Sequence, residues 1–300
     1  MDKNNILDKY FPILDNGYVS LVNVMGNDYS IVQAARVSYG KGTKTVNEDR
    51  GLIRYLMRNK HTTPFEMVEF QFNIAMPYHV SRQFCRHRTA SINEYSGRYS
   101  IVPEVTYNDY NINVQSKNNK QGRAEGELEN RIYFQNRVKQ CKNDAFELYN
   151  DMVNNGAARE IARMHLPLNT YTYFYWKIDL HNLLHFLRLR CDSHAQYEIR
   201  QYANTLAGIV KAICPVAFEA WEDYSFYASN WTRLDQELHS FWILNKDEQF
   251  IKEKAESAGM GKREVEEFFE KLEPKPKVNF DLDLSTARNA AYYENLVKEN

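Results

Sequence analysis

Residues 68–74 read Val-Glu-Phe-Gln-Phe-Asn-Ile, and residues 170–178 read Thr-Tyr-Thr-Tyr-Phe-Tyr-Trp-Lys-Ile. In the first, apolar and polar side chains alternate strictly, which is the period-two mark of a half-buried strand. In the second, Thr172, Phe174, Trp176 and Ile178 share one face while Tyr171, Tyr173, Tyr175 and Lys177 share the other. Each is followed by helical spacing. Pro77 ends the first strand, and His79 to Arg88 reads as a short helix with Arg82 and Arg86 one turn apart; a helix from His181 to about Arg190 follows the second.

Outward from these two segments, Gly17 to Val24 reads as a further strand, Asp28 to Val37 as a helix, and Thr45 to Arg58 as a helix carrying Leu52, Ile53, Leu56 and Met57. Asn108 to Gly126 is rich in Asn, Gln and Lys and reads as a surface insertion. A long helix is expected from Glu127 to Asn154, with Ile132, Phe134, Val138, Ala145, Leu148 and Met152 as its apolar positions and Gly156 as its stop. A short helix near Ala158 to His165 ends before Pro167. Gln196 to Cys214 gives the clearest stripe, Ile199, Tyr202, Leu206, Ile209 and Ile213, before Pro215. Beyond Trp221 come charged helices, Lys246 to Ser257 and Lys262 to Leu272, a Glu273 to Lys277 linker, and a last helix over Ser285 to Asn300. The pattern predicts an α+β fold, helices packed on a central mostly antiparallel sheet, with residues 1–225 as a catalytic domain and 226–300 as a helical C-terminal extension.

Composition narrows the function. With 43% apolar and 14% aromatic residues among 300, the chain can bury a sizeable core. A net charge of -1 provides no general field toward nucleic acid or anionic lipid, so neither is an expected partner. The N-terminal residues are polar and no stretch has the length of a membrane span, which predicts a cytoplasmic protein. Four scattered cysteines, Cys85, Cys141, Cys191 and Cys214, lack a C-x-x-C pair and are expected as reduced thiols.

Chemistry concentrates in residues 86–99, Arg-His-Arg-Thr-Ala-Ser-Ile-Asn-Glu-Tyr-Ser-Gly-Arg-Tyr. Arginine forks suit phosphate, Ser96 and Gly97 add donors and room for close approach, and Asn93 and Glu94 suit hydroxyls or ring N–H groups. That mixture points to a nucleotide. By composition alone a solvated, charged helix face with Glu94 as an ion-pair partner explains it equally well.

The order of residues adds to this. Arg86-His-Arg, then seven residues, then Ser96 within Asn-Glu-x-Ser-Gly-Arg-Tyr, closely resembles the signature of flavin-dependent thymidylate synthases. His61-Thr-Thr-Pro-Phe-Glu66, Arg82-Gln83, Arg159-Glu-x-Ala-Arg163 continuing to Asn169, and Leu189-Arg190-x-Asp192-Ser-His-Ala-Gln196-x-Glu198 resemble further family segments, over residues 17 to 225. The resemblance implies reductive methylation of dUMP to dTMP, with FAD as cofactor and NADPH and methylenetetrahydrofolate as co-substrates. It implies dUMP contacts from Gln83, Arg86, Glu94, Tyr95, Ser96, Gly97, Arg98, Arg163 and Arg190, with Arg98 and Arg163 near the phosphate and Arg190 as the catalytic residue facing the pyrimidine. It implies FAD contacts from Thr63, Arg86, His87, Arg88, Glu94, Asp179, His181 and His185. Sites shared between subunits of a homotetramer follow from it as well. Where many members carry Asn-x-Arg, this chain has Asp179-Leu180-His181; an aspartate repels pyrophosphate, so Asp179 is expected at adenine or ribose.

Rival readings are weaker. Ser96 has no triad partners at evident positions, Cys85 and Cys191 beside arginines read as core residues, and His181 and His185 have metal-ligand spacing without the Glu of an H-E-x-x-H site, so no metal is expected. A non-catalytic nucleic-acid binder is disfavoured by the charge balance, and metal-dependent hydrolysis by the missing ligands.

Overall fold

The computed structural model describes residues 5–37, 46–108, 110–117 and 121–299. Thr45 and Asn300, expected at the ends of helices, lie outside these. In chain order the strands are β1 (Tyr10–Ile13), β2 (Gly17–Met25), β3 (Glu69–Pro77), β4 (Ser91–Glu94), β5 (Asn113–Gln115), β6 (Arg123–Glu127) and β7 (Tyr171–Asp179). β5 pairs with β6, and the other strands form one antiparallel sheet in the order β1-β2-β3-β7-β4. The two alternating segments are therefore neighbours at its centre. Glu69 lies opposite Asp179 and Pro77 opposite Tyr171, so Phe70, Phe72 and Ile74 face Ile178, Trp176 and Phe174 directly, all of them buried. Cross-strand pairs of large apolar residues set this register, because a one-residue slip would turn them to solvent.

The helices are α1 (Asp28–Arg36), α2 (Val46–Arg58), α3 (Thr63–Glu66), α4 (Tyr78–Phe84), α5 (Arg131–Asn154), α6 (Arg159–Ala162), α7 (Leu180–Arg190), α8 (Tyr197–Ile213), α9 (Pro215–Trp221), α10 (Arg233–Asn245), α11 (Glu248–Ser257), α12 (Lys262–Glu270) and α13 (Ala290–Glu299). On the covered face of the sheet, the Phe84 ring meets Trp176 at 5.2 Å and Phe186 at 4.7 Å, which joins α4 and α7 to the centre of β7. The α8 stripe Ile199, Tyr202, Leu206, Ile209 and Ile213 is buried as its spacing predicts.

Four local readings are corrected. The helix expected to Arg88 stops at Phe84, and residues 91–94, within the arginine-rich motif, form strand β4. β1 is also not evident from the sequence; it carries Pro12 and lies at one edge of the sheet, as the exposed β4 lies at the other, and each is only four residues long, too short to sustain a visible alternation. The 108–126 insertion contains the β5–β6 hairpin, so α5 starts at Arg131 instead of Glu127. Of its expected apolar positions Ile132, Phe134, Val138 and Leu148 are exposed, while Phe146 and Tyr149 are buried.

The chain divides into two compact units, Met1–Glu219 with Phe280–Asn300, and Ala220–Asn279. The sequence division at 225 and 226 followed composition, whereas packing returns the last segment to the first unit. There Tyr10 and Arg288 exchange backbone hydrogen bonds of 2.9 and 2.8 Å, and a side chain at Gly208 would meet the Phe280 carbonyl oxygen at 3.0 Å. The second unit has its own core of Leu238, Ile251, Ala255, Met260, Val265 and Phe268.

Candidate active site

Three groups of the expected residues can be built from the elements that hold them. The first joins the turn after α4 to the last turn of α7. His87 lies in that turn with its ring 4.7 Å from Phe186, and Arg190 ends α7. Arg190 Nε donates to His87 Nε2 at 3.0 Å. Accepting there requires a neutral imidazole with its proton on Nδ1. Burial first, then the Arg190 and His185 charges, push the His87 pKa down to about 4 from an ordinary 6.5. Burial also lowers the Arg190 pKa, yet a guanidinium remains charged at any working pH. With Nε tied down, the Arg190 fork has a set plane and its terminal nitrogens remain to meet an anion.

The second group surrounds the turn after β4. Tyr95 is committed to the scaffold: its backbone N–H donates to the Tyr173 carbonyl at 2.8 Å and its hydroxyl to the Ile101 carbonyl at 2.5 Å. Ser96 Oγ accepts from the Arg98 backbone N–H at 3.3 Å. Gly97 is buried, and a Cβ there would stand 2.8 Å from Val102 Cγ2 and 3.3 Å from Arg163 Cδ. Only glycine lets the Arg163 side chain approach this turn so closely. Arg98 Nη2 lies 3.3 Å from Glu160 Oε2 on an exposed rim, and Arg159 donates to the Tyr99 carbonyl at 2.6 Å, which ties α6 to the turn. Glu94 accepts from Thr172 Oγ1 at 2.7 Å. The Tyr78 phenol beside them is raised in pKa chiefly by burial, against a Thr172 hydrogen bond, with Glu94 raising it and Arg163 lowering it. Glu94, Gly97, Arg98 and Arg163 thus share one neighbourhood, with cations and a carboxylate on its wall.

The third group is a file of side chains from α4 to α8. Gln83 Nε2 donates to Gln196 Oε1 at 2.5 Å, and Gln196 Nε2 donates to Glu198 Oε2 at 2.8 Å.

Among the described residues, the side chains of Thr63, Arg86, Arg88 and His181 make no hydrogen bond to these groups, although the Arg86 backbone N–H donates to the Gln83 carbonyl at 3.3 Å. Thr63 opens α3, Arg86 and Arg88 are exposed beside His87, and His181 is half-buried on the first turn of α7. Asp179 caps α7, accepting from Asn182 N at 2.9 Å and Asn182 Nδ2 at 2.6 Å, so any ligand contact there has to share its oxygens. His185 is exposed, its ring 6.4 Å from that of His87. The donor set suits a flavin dinucleotide: two exposed guanidiniums for a pyrophosphate, with a carboxylate and imidazoles for hydroxyls and ring nitrogens.

Cys191 is buried and its thiol is pushed up by burial and then by Asp192, which removes it as a thiolate nucleophile. Cys85, expected in the core, is exposed, because α4 ends before it. Thr172, Tyr78 and Glu160 were missed as site residues. Thr172 reads as one more residue of a buried strand face until β4 is known to place Glu94 beside it.

The family model described as thymidylate synthase complementing protein matches residues 20–216. A flavin-dependent thymidylate synthase of Thermus thermophilus is 50% identical over 263 residues, 87% of this chain and 95% of that protein. One from Ehrlichia ruminantium is 45% identical over 278 residues, 90% of this chain and 91% of the relative. Among solved structures, a UMP/dUMP methylase from Streptomyces cacaoi bound with 5-Br dUMP superposes with a TM-score of 0.66 at 31% identity, covering 71% of this chain and 98% of that one.

Proposed function

The chain belongs to the flavin-dependent thymidylate synthases, and from that premise we infer how its own residues divide the work. It is an enzyme that reductively methylates dUMP to dTMP, taking carbon from methylenetetrahydrofolate and reducing equivalents, supplied by NADPH, through FAD.

Arg98 and Arg163 hold the dUMP phosphate across the surface left open by Gly97, with Gln83, Arg86, Tyr95 and Ser96 completing the contacts. Arg190 is the catalytic residue. Its guanidinium faces the pyrimidine and stabilises negative charge at N3 as the ring is activated, and it needs no proton transfer of its own because the charge is permanent. His87 keeps that guanidinium in plane by accepting from Nε, and as a neutral base it adds no competing positive charge. Thr63, Arg86, His87, Arg88, Asp179, His181 and His185 hold FAD, and Glu94 touches both ligands. What supports this division most is the single bond from Arg190 Nε to His87 Nε2, which joins the expected catalytic residue to the expected flavin segment.

The active form is a homotetramer whose sites are completed by neighbouring subunits, working in the cytoplasm without a metal. The apolar residues that α5 exposes, Ile132, Tyr133, Phe134 and Val138, support subunit packing, since a monomer seldom leaves such a row in water. Residues 220–279 add to the catalytic domain a helical unit with its own core. Purified protein should carry a flavin absorbance and form dTMP from dUMP, methylenetetrahydrofolate and NADPH. A folded, flavin-loaded sample that makes no dTMP would overturn the reading.

A further inference from the structure

Glu198 is a carboxylate at 4% exposure on the first turn of α8. Removing an ionised carboxylate from water is costly unless its oxygens are satisfied, and here they are. Oε1 meets Arg123 Nη2 at 2.6 Å and the Tyr107 hydroxyl at 3.5 Å, while Oε2 accepts from Gln196 Nε2 at 2.8 Å. Burial pushes the carboxyl up, but the bonds from Gln196 and Arg123 outweigh it and hold the group below the usual carboxylate range. The arginine is not local. It comes from β6 in the 108–126 insertion and also lies over the Tyr197 ring, 4.9 Å from its centroid. Hairpin and helix together border a groove of about 480 Å3, along which Arg123, Gln196 and Glu198 lie.

These contacts fix a direction. A glutamine amide has nearly the same shape after a half-turn, but the turn exchanges donor and acceptor. An ionised carboxylate can only accept, so Gln196 must direct its NH2 at Glu198 and its oxygen away. That oxygen takes the hydrogen bond from Gln83 Nε2 at 2.5 Å, so Gln83 must present NH2 on this side. Its own Oε1 and one remaining N–H are then left for a ligand in one defined sense. Without Glu198, both amides could turn over together at little cost.

We propose that Glu198 is a positioning residue for dUMP binding, which sets the orientation of the Gln83 amide through Gln196 and is itself clamped by Arg123 of the β5–β6 hairpin. The proposal rests on the reading of Gln83 as a dUMP contact. In it the insertion supplies the charge that keeps the carboxylate ionised at the head of the file.

The test is a mutant cycle read by steady-state kinetics on the FAD-loaded enzyme. Glu198→Gln should raise the dUMP KM about tenfold, the scale of one misdirected hydrogen bond, with kcat held within about twofold and flavin absorbance unchanged. In a Gln83→Ala background the same substitution should add less than about twofold, because the group it orients is gone. Arg123→Ala should raise KM less than Glu198→Gln. Gln196→Ala, at an exposed position, interrupts the file while Arg123 still holds the other oxygen of the buried carboxylate, and carries the same cycle if Glu198→Gln does not fold. Glu198→Asp, which keeps the charge, should restore part of the affinity. A tenfold rise from Glu198→Gln that persists in full in the Gln83→Ala background overturns the proposal, as does an unchanged KM in both Glu198→Gln and Gln196→Ala. If Gln83→Ala by itself leaves KM unchanged, the reading of Gln83 fails instead, and that outcome is distinct from the other two.

Discussion

Arg190 and Arg98 are assigned to the same substrate but live in opposite surroundings. Arg190 ends an α-helix packed on the sheet, is half-buried, and has Nε tied to His87 at 3.0 Å. Arg98 lies in a turn beyond an edge strand, more than half exposed, with Glu160 at 3.3 Å as its partner. The first is held by the core of one chain before any ligand arrives. The second is a charge on a rim, screened by water and salt, whose position is set mainly by what binds there. On that assignment, one site combines a preorganised electrostatic element with a compliant one, and chemistry and capture should separate under mutation.

The largest test is Arg190→Ala. Loss of a fixed charge at a developing anion should lower kcat about 1000-fold while flavin remains bound. Substantial turnover in that variant would break the contrast. Next, Gly97→Ala should raise the dUMP KM on the order of 30-fold, because the new methyl stands where Val102 and Arg163 approach the turn. A normal KM would mean that Arg163 need not come so close. Arg98→Ala should raise KM about tenfold at low ionic strength and less at high salt, since an exposed charge is screened. The loss in Arg190→Ala should vary little with salt, and equal salt dependence in both would erase the distinction between them.

The smallest effect is spectroscopic. In wild-type protein the His87 imidazole should titrate by NMR near pH 4. In Arg190→Ala it should rise only partway toward 6.5, because burial, the larger cause, remains. The folded value lies below the unfolded one, so between pH 6.5 and about 4 the unfolded chain binds the extra proton. His87 therefore contributes stability at neutral pH that is lost as pH falls through that window. Thermal melts of wild type and His87→Gln at pH 7 and pH 5 should show the wild type losing more on acidification.

The central strands were legible because β3 and β7 bury one face each, and burial writes a period into the sequence. β4 was not, since none of Ser91 to Glu94 is buried and its pairing with β7 is made by backbone bonds that leave no mark on side-chain type. The same gap hid Thr172 as a partner of Glu94. The apolar positions of α5 are legible in the sequence but their exposure is not, because a pattern shows that a face avoids water but not what covers it. The resemblance implies a ligand contact at Asp179 but not its second task, which only the structure shows: it caps α7, accepting from the Asn182 backbone and side chain.

By itself the sequence determined the class of fold, the family, and the candidate residues for a nucleotide site, because periodicity and motif spacing are local properties of the chain. Tertiary structure decided which of those residues meet. His87 and Arg190 are 103 positions apart, Gln83 and Gln196 are 113 apart, and Arg123 and Glu198 are 75 apart. Hydrogen bonds at such separations depend on the register of β3 against β7 and on the docking of α4, α7 and α8 upon it. Geometry of that kind is set by packing across the whole core, and no window of sequence contains it.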